Sequence, residues 1–469
     1  MKAGSFAVAL RTACVLMIVL AACRTAGAQE AQQRVKSWIY IDHSCACRTY
    51  IEGDSLEVPV DYYLDPAEDK GGTLLTLWGG GPWIDNPDGK YVQDRHHVSY
   101  PGLWASAPVA SGRGHHVFKL TVPPALPQNG ILLIARFQDA SGRDWPWEFR
   151  RGGIWFARRG GSFELETGKP GNLFTYDEPV RIVARLKNVT TPGAQMTLGY
   201  KVTDVAGAVV AQGQVPFTVQ QNGQEVPIAL DLSRRGTFLI EADVPGWETR
   251  DTTFCRIPDL MAITGGARTQ FGMTNVVVPA PPERLNELCM VARRLGLTSC
   301  RAMYSWYDME PGPGVYMLDA WEQALEIGRR NGIDTWLCVY EPPAWAFSGP
   351  LGTTSYAAVR VDWDAWRDFV HTVSTRLKGK LYGWEWLNEI TPGGTSDPVT
   401  DYLTMCRIAT QTAKAADPNL VTILAGGLWP RSFRTEMLKA GAADYIDVLP
   451  IHYSDGAGVR EAQIGRAHV

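Results

Sequence analysis

The sequence predicts a multidomain chain. Two N-terminal all-β sandwiches, the second immunoglobulin-like, precede an incomplete TIM (β/α)8 barrel of about six βα units. Three observations lead there. The 469 residues exceed one ordinary domain, and their 45% hydrophobic and 20% charged content is that of soluble globular protein. Up to about residue 260, short runs of alternating apolar and polar positions end at Gly, Pro and Asp clusters. After Gly265 the pattern switches to strands alternating with helices of 3.6-residue period, which a (β/α)8 barrel or a doubly wound sheet both fit. A net charge of −4 leaves no basic surplus for nucleic acid, and the apolar content argues against disorder.

Residues 1–28 read as an export signal: Lys2 and Arg11 precede an apolar run over 15–22 that is too short to span a bilayer. Two processing sites compete. Ala26-Gly27-Ala28 forms an A-x-A cleavage site, whereas Leu20-Ala21-Ala22-Cys23 is similar to a bacterial lipobox, with Cys23 as the acylated residue. Either way the protein is expected outside the cytoplasm: periplasmic, at the cell surface or secreted. Its membrane link would be that lipid anchor alone. Nine thinly spread cysteines do not make a disulfide framework. Cys45 and Cys47 beside His43 read as a loop or local redox pair more readily than as a metal site. No metal or cofactor is expected.

The first sandwich, residues 37–160, has strand-like runs at 74–78, 117–122 and 131–137. Its Gly/Pro-rich loops carry Trp83, Trp104, Trp145 and Trp147, leaving carbohydrate binding and core packing both open. The second, residues 161–260, places Val180, Ile182, Ala184 and Leu186 on one face, and Phe238, Ile240, Ala242 and Val244 on another. The barrel, residues 265–463, starts with a strand at 271–278 and a helix at 283–295 closed by Gly296. Further strands follow at 298–304, 334–340, 381–387, 420–425 and 446–451. The intervening helices lie at 318–330, after an Asp362 N-cap, at 401–416 and at 432–440. No G-x-G-x-x-G follows the first strand, which disfavours a dinucleotide fold.

In a barrel, chemistry sits at the C-terminal strand ends. Here those ends carry Arg301 and Trp306 (second strand), Glu341 and Trp345 (third), Asn388 and Glu389 (fourth) and His452 and Tyr453 (sixth). Aromatics, carboxylates, an Arg and a His on one rim suit an uncharged polyhydroxylated substrate. Asn388-Glu389 at the fourth strand resembles the acid/base motif of clan A glycoside hydrolases, which are retaining (β/α)8-barrel glycosidases. Trp306, Met309, Glu310, Pro311, Gly314, Tyr316, Leu318 and Asp319 are similar to a stretch that follows strand two in that clan. Pro343-x-Trp345 and His452-Tyr453 also match places lining its central sugar subsite.

The resemblance implies Glu389 as acid/base, Asn388 on the sugar 2-hydroxyl and Arg301 orienting the nucleophile. His452, Tyr453, Trp345, Trp429, Trp306 and Glu341 would contact a poly- or oligosaccharide substrate. Plainer readings stay open: Glu389 as a helix N-terminal acid, Arg301 in an interior ion pair with Glu385, and Trp336, Trp363 and Trp366 as core. The clan's nucleophilic Glu ends strand seven, which is expected to be missing here. Ile464 to Val469 match a translated sequencing adapter, so residues 464–469 read as an artefact and the chain as given is expected to be inactive. A non-catalytic carbohydrate-binding or adhesion protein with a degenerate barrel is the alternative, and a lyase a third reading.

Overall fold

The computed structural model describes residues 36–42, 49–51, 54–80, 103–122, 131–143, 145, 151–159, 163–187, 191–247, 249–269, 271–346, 361–390, 392, 396–428 and 430–452. The signal region, Cys23, Cys45, Cys47, Trp83, Trp147, Trp429, Tyr453 and residues 464–469 lie outside them. The molecule is sheet-rich and multidomain, built around three separate hydrophobic cores.

The first core lies between two sheets. One is three-stranded and antiparallel, with Ser55–Leu64 between Trp38–Ile41 and Gly112–Thr121. The other has five strands, in the order Thr49–Ile51, Arg151–Arg159, Ile131–Gln138, Leu74–Gly80 and Trp104–Pro108. Strict alternation sends Leu56, Val58, Val60, Tyr62 and Leu64 inward from the central strand. The second core joins a three-stranded sheet centred on Val180–Leu186 to a five-stranded sheet that includes Gln195–Asp204 and Gly236–Asp243. Val180, Ile182, Ala184, Leu186, Phe238, Ile240, Ala242 and Val244 are all buried there, on the faces their period predicts.

The third unit holds a curled half-barrel sheet of parallel strands in chain order: Gly272–Thr274, Ser299–Ser305, Asp334–Tyr340, Gly383–Trp386 and Val421–Ile423. Helices Pro282–Arg294, Asp319–Arg330, Trp363–Arg376, Pro398–Ala416 and Arg431–Lys439 alternate with them. The caps explain the helix boundaries. Asp362 accepts the N–H groups of Asp364 and Ala365, and Asp397 accepts that of Thr400. Gly296 and Gly332 take the left-handed conformation just past two helix ends.

Four strands are shorter than expected: 381–387 becomes Gly383–Trp386, 420–425 becomes Val421–Ile423, and two others change further. The one predicted at 271–278 ends at Thr274, because Asn275 turns left-handed (φ 59°) and its side-chain oxygen accepts the Met303 N–H. The one predicted at 446–451 contributes a single parallel bridge, Ile423 to Val448. Strand four shows how the unit is layered. Trp384 and Trp386 point outward into the aromatic layer formed with Trp366, Phe369 and Trp306, while Glu385 between them points inward.

Candidate active site

Alternation along strand four puts one carboxylate, Glu385, into the sheet interior, where its side chain is 2% exposed. An isolated buried carboxylate is costly, so it needs partners. Arg301 of strand two supplies them: Nε and Nη2 each donate to Glu385 at 2.7 Å, a bidentate charge-assisted pair. The Gly426 N–H adds a third bond at 2.8 Å. Burial is the largest influence on Arg301 and opposes its charge, but the hydrogen bonds to Glu385 and the nearby negative charge of Glu385 and Glu389 together outweigh it and hold the guanidinium above its ordinary pKa.

The same Arg301 Nη2 donates to the Asn388 side-chain oxygen at 2.8 Å and to the Cys338 sulfur at 3.2 Å. Burial, followed by the Glu385 charge, pushes the Cys338 thiol well above its ordinary pKa. The neutral thiol faces the Leu387 carbonyl at 3.6 Å. One guanidinium thus ties together the ends of strands two, three and four.

Beyond Trp386 the chain leaves the ladder. Leu387 and Glu389 both adopt left-handed backbone, at φ 66° and 50°. Glu341, at the end of strand three, does the same at φ 48°. Such conformations cost energy in non-glycine residues and persist where surrounding structure enforces them. Four of the five described left-handed non-glycine residues, Asn275, Glu341, Leu387 and Glu389, sit at C-terminal strand ends. The enforcement at Glu389 is visible: its N–H donates to the Gly426 carbonyl at 2.8 Å, and Asn388 bridges to Gly426. The kink frees the Glu389 carboxylate from the interior. It stands 27% exposed, with His452 Nδ1 at 3.1 Å from Oε1.

Glycine is needed beneath this pair. A methyl group on Gly426 would lie 2.0 Å from His452 Nε2, and one on Gly427 2.9 Å from Glu389 Cγ. Glu341 is half-buried and accepts the Ser305 hydroxyl at 2.8 Å.

The structure therefore gathers Arg301, Asn388, Glu389 and His452 in one place and sets Glu341 on a neighbouring strand end. It corrects several expectations. Arg301 pairs with Glu385 inside the sheet, as the plainer reading has it, and the same guanidinium also donates to Asn388. Glu389 is not a helix N-terminal acid among the described residues, where the next helix begins at Pro398. Trp306 is not a sugar platform: it is wholly buried, stacked on Phe369, with its indole N–H on Glu310 at 2.8 Å. Trp345 is 5% exposed and packs edge-on against Trp306, so it backs the rim and offers no open face. Trp366 is core, as the plainer reading has it. In the first sandwich Trp145 packs on Phe137, while Trp104 stands 54% exposed. Trp429 and Tyr453 fall outside the described residues.

Sequence reasoning missed the roles of Cys338, Gly426 and Gly427. Only the close approach of strands three, four and five reveals them. Glu310 was visible only as part of a motif. It is 3% exposed and accepts the Trp306 indole and the Gly314 N–H. Burial pushes its carboxyl up to about 7. Among the described residues, no three His, Cys, Asp or Glu side chains gather as a metal-binding group.

No family profile matches the chain. Solved structures similar to it are glycoside hydrolases at low identity. A family 39 glycoside hydrolase from the gut symbiont Bacteroides cellulosilyticus WH2 is 20% identical over 62% of this chain and 57% of its own, with a TM-score of 0.46. A β-glucuronidase from Bacteroides uniformis is 11% identical over 89% of this chain and 52% of its own, with a TM-score of 0.30. An endoglucanase from Pseudomonas stutzeri is 14% identical over 29% of this chain and 41% of its own, with a TM-score of 0.24. The chain spans about half the length of the solved structures it matches.

Proposed function

We propose that the chain belongs to a retaining glycoside hydrolase that cleaves a poly- or oligosaccharide by double displacement. Its parallel-sheet unit would be an incomplete (β/α)8 barrel of about six βα units. The observation that carries this reading is the kink at Leu387–Glu389. Strain at two successive alternate residues lifts a carboxylate out of a buried ion-pair layer and delivers it, half-exposed, beside a histidine at the C-terminal strand ends.

Glu389 is the acid/base: protonated, it gives its proton to the leaving glycosidic oxygen, then takes one from water in the second step. Asn388 meets the sugar near C2, held in place by Arg301. His452 and Glu341 line the same subsite. Double displacement also requires a nucleophilic carboxylate about 5–5.5 Å from the acid/base. Glu385 does not serve, because its oxygens are held by Arg301 and the Gly426 N–H. The nucleophile is assigned to chain outside the described residues. The N-terminal pattern of Lys2, Arg11 and the apolar run supports an exported enzyme.

The test is Glu389→Gln in the whole protein. Hydrolysis of glycosides with poor leaving groups should fall about 10²–10⁴-fold. Dinitrophenyl glycosides, whose leaving group needs no proton, should still be cleaved at the first step. Equal loss on both substrate types, or none, would refute the assignment.

A further inference from the structure

The strand Trp38–Ile41 is buried on both faces. Ile39 and Ile41 enter the first core, as alternation requires. Trp38 and Tyr40 face the other way, toward the loop that follows strand two of the parallel sheet. A methyl group on Gly312 would lie 2.3 Å from the Trp38 ring, so the indole rests directly on that glycine's backbone. Trp38 is held flat from its own side by Tyr63, 6.5 Å away ring to ring, and by the Arg113 guanidinium. Burial, with the charges of Asp42 and of Asp308 in the loop, drives the Tyr40 phenol above its ordinary pKa.

The loop is stiff. Gly312 pairs with Val315, and the Met317 N–H bonds to the Met309 carbonyl at 2.8 Å. Glu310 clamps it by accepting the Trp306 indole and the Gly314 N–H. At its root, Ser305 donates to Glu341, and Trp306 lies 5.9 Å from Trp345. A continuous set of contacts therefore runs from the first sheet to the end of strand three.

We propose that Trp38 and Tyr40 are positioning residues that hold the 306–317 loop and, through Ser305 and Trp306, fix Glu341 and the Trp345 behind it. The N-terminal sheet is thereby a structural part of the site wall. This rests on the glycosidase reading only in calling Glu341 and Trp345 a site wall.

Hydrogen exchange of the full chain tests it without substrate, so this coupling and the proposed hydrolysis can fail separately. Trp38→Ala should speed exchange about tenfold in both 306–317 and 341–346, leave the strand Ser55–Leu64 protected, and be largely reversed by Trp38→Phe. Gly312→Ala, which lifts the indole without changing the sheet, should loosen the same two segments, and it decides the matter if Trp38→Ala does not fold. Parent-level exchange at 341–346 in a folded variant would overturn the proposal, whether or not the loop itself loosens.

Discussion

Arg301→Met is the most informative single perturbation of this site. It keeps most of the stem volume and removes the charge. Glu385 then loses both bonds of 2.7 Å and keeps the Gly426 N–H and the Cys338 thiol, while its side chain remains 2% exposed. Breaking a buried pair in this way leaves an uncompensated charge and costs about 3–5 kcal/mol. The 16% exposure of the Arg301 side chain admits some water and favours the lower end of that range. Asn388 also loses its donor, adding a smaller cost of about 1 kcal/mol. Urea unfolding followed by tryptophan fluorescence suits the measurement, because Trp384 and Trp386 flank Glu385. The double variant Arg301→Met with Glu385→Leu should recover most of the loss, since it removes both partners. A single-variant loss below about 1 kcal/mol, or a double variant no better than the single, would refute the view that this pair organises the strand ends.

Other consequences are as direct. Glu310 has an ordinary value of 4.5 raised to about 7 by burial, so the folded state holds its proton more tightly than the unfolded one. Its stabilising contribution is complete below 4.5 and is lost as pH rises through about 7, a fall of about 3 kcal/mol. Glu310→Gln should remove that slope, and urea midpoints of parent and variant that run parallel from acid to neutral pH would contradict it. Gly427→Ala adds a methyl group at φ 73°, 2.9 Å from Glu389 Cγ and 3.0 Å from His452 Nδ1. It should cost about 1–3 kcal/mol in thermal unfolding and separate Glu389 from His452. A variant with unchanged Tm and unchanged hydrolysis by the whole protein would show that the close approach is dispensable.

The physical economy of the site lies in the division between Glu385 and Glu389. Four residues apart on what reads as one strand, they would share a face if the strand continued. The two left-handed residues break that parity. One carboxylate becomes a buried anchor for Arg301, and the other reaches the rim. Neither fate follows from residue type, since both are glutamates on the same short segment.

Much of the architecture could be read from the sequence because it depends on local rules. Period-2 runs predicted the buried faces at 180–186 and 238–244, and Asp362 and Gly296 marked helix ends, since capping and amphipathic burial are settled within a few residues. The βα alternation likewise placed Glu341, Asn388 and Glu389 just past strand ends, whereas Arg301 lies inside Ser299–Ser305 and His452 follows a single bridge instead of a strand. Tertiary structure alone decided what each of them does. Arg301 was claimed by Glu385 because a buried carboxylate without a cation is too costly. Trp306 and Trp345 went to the core because large apolar rings gain by leaving water and packing on the aromatic layer over strand four. Glu389 was left half-exposed because Gly426 and Gly427 allow the fifth strand's end to approach within hydrogen-bonding distance. The pattern of residues brought these side chains near neighbouring strand ends, and long-range packing, which balances burial against pairing, decided which become buried anchors and which reach the rim.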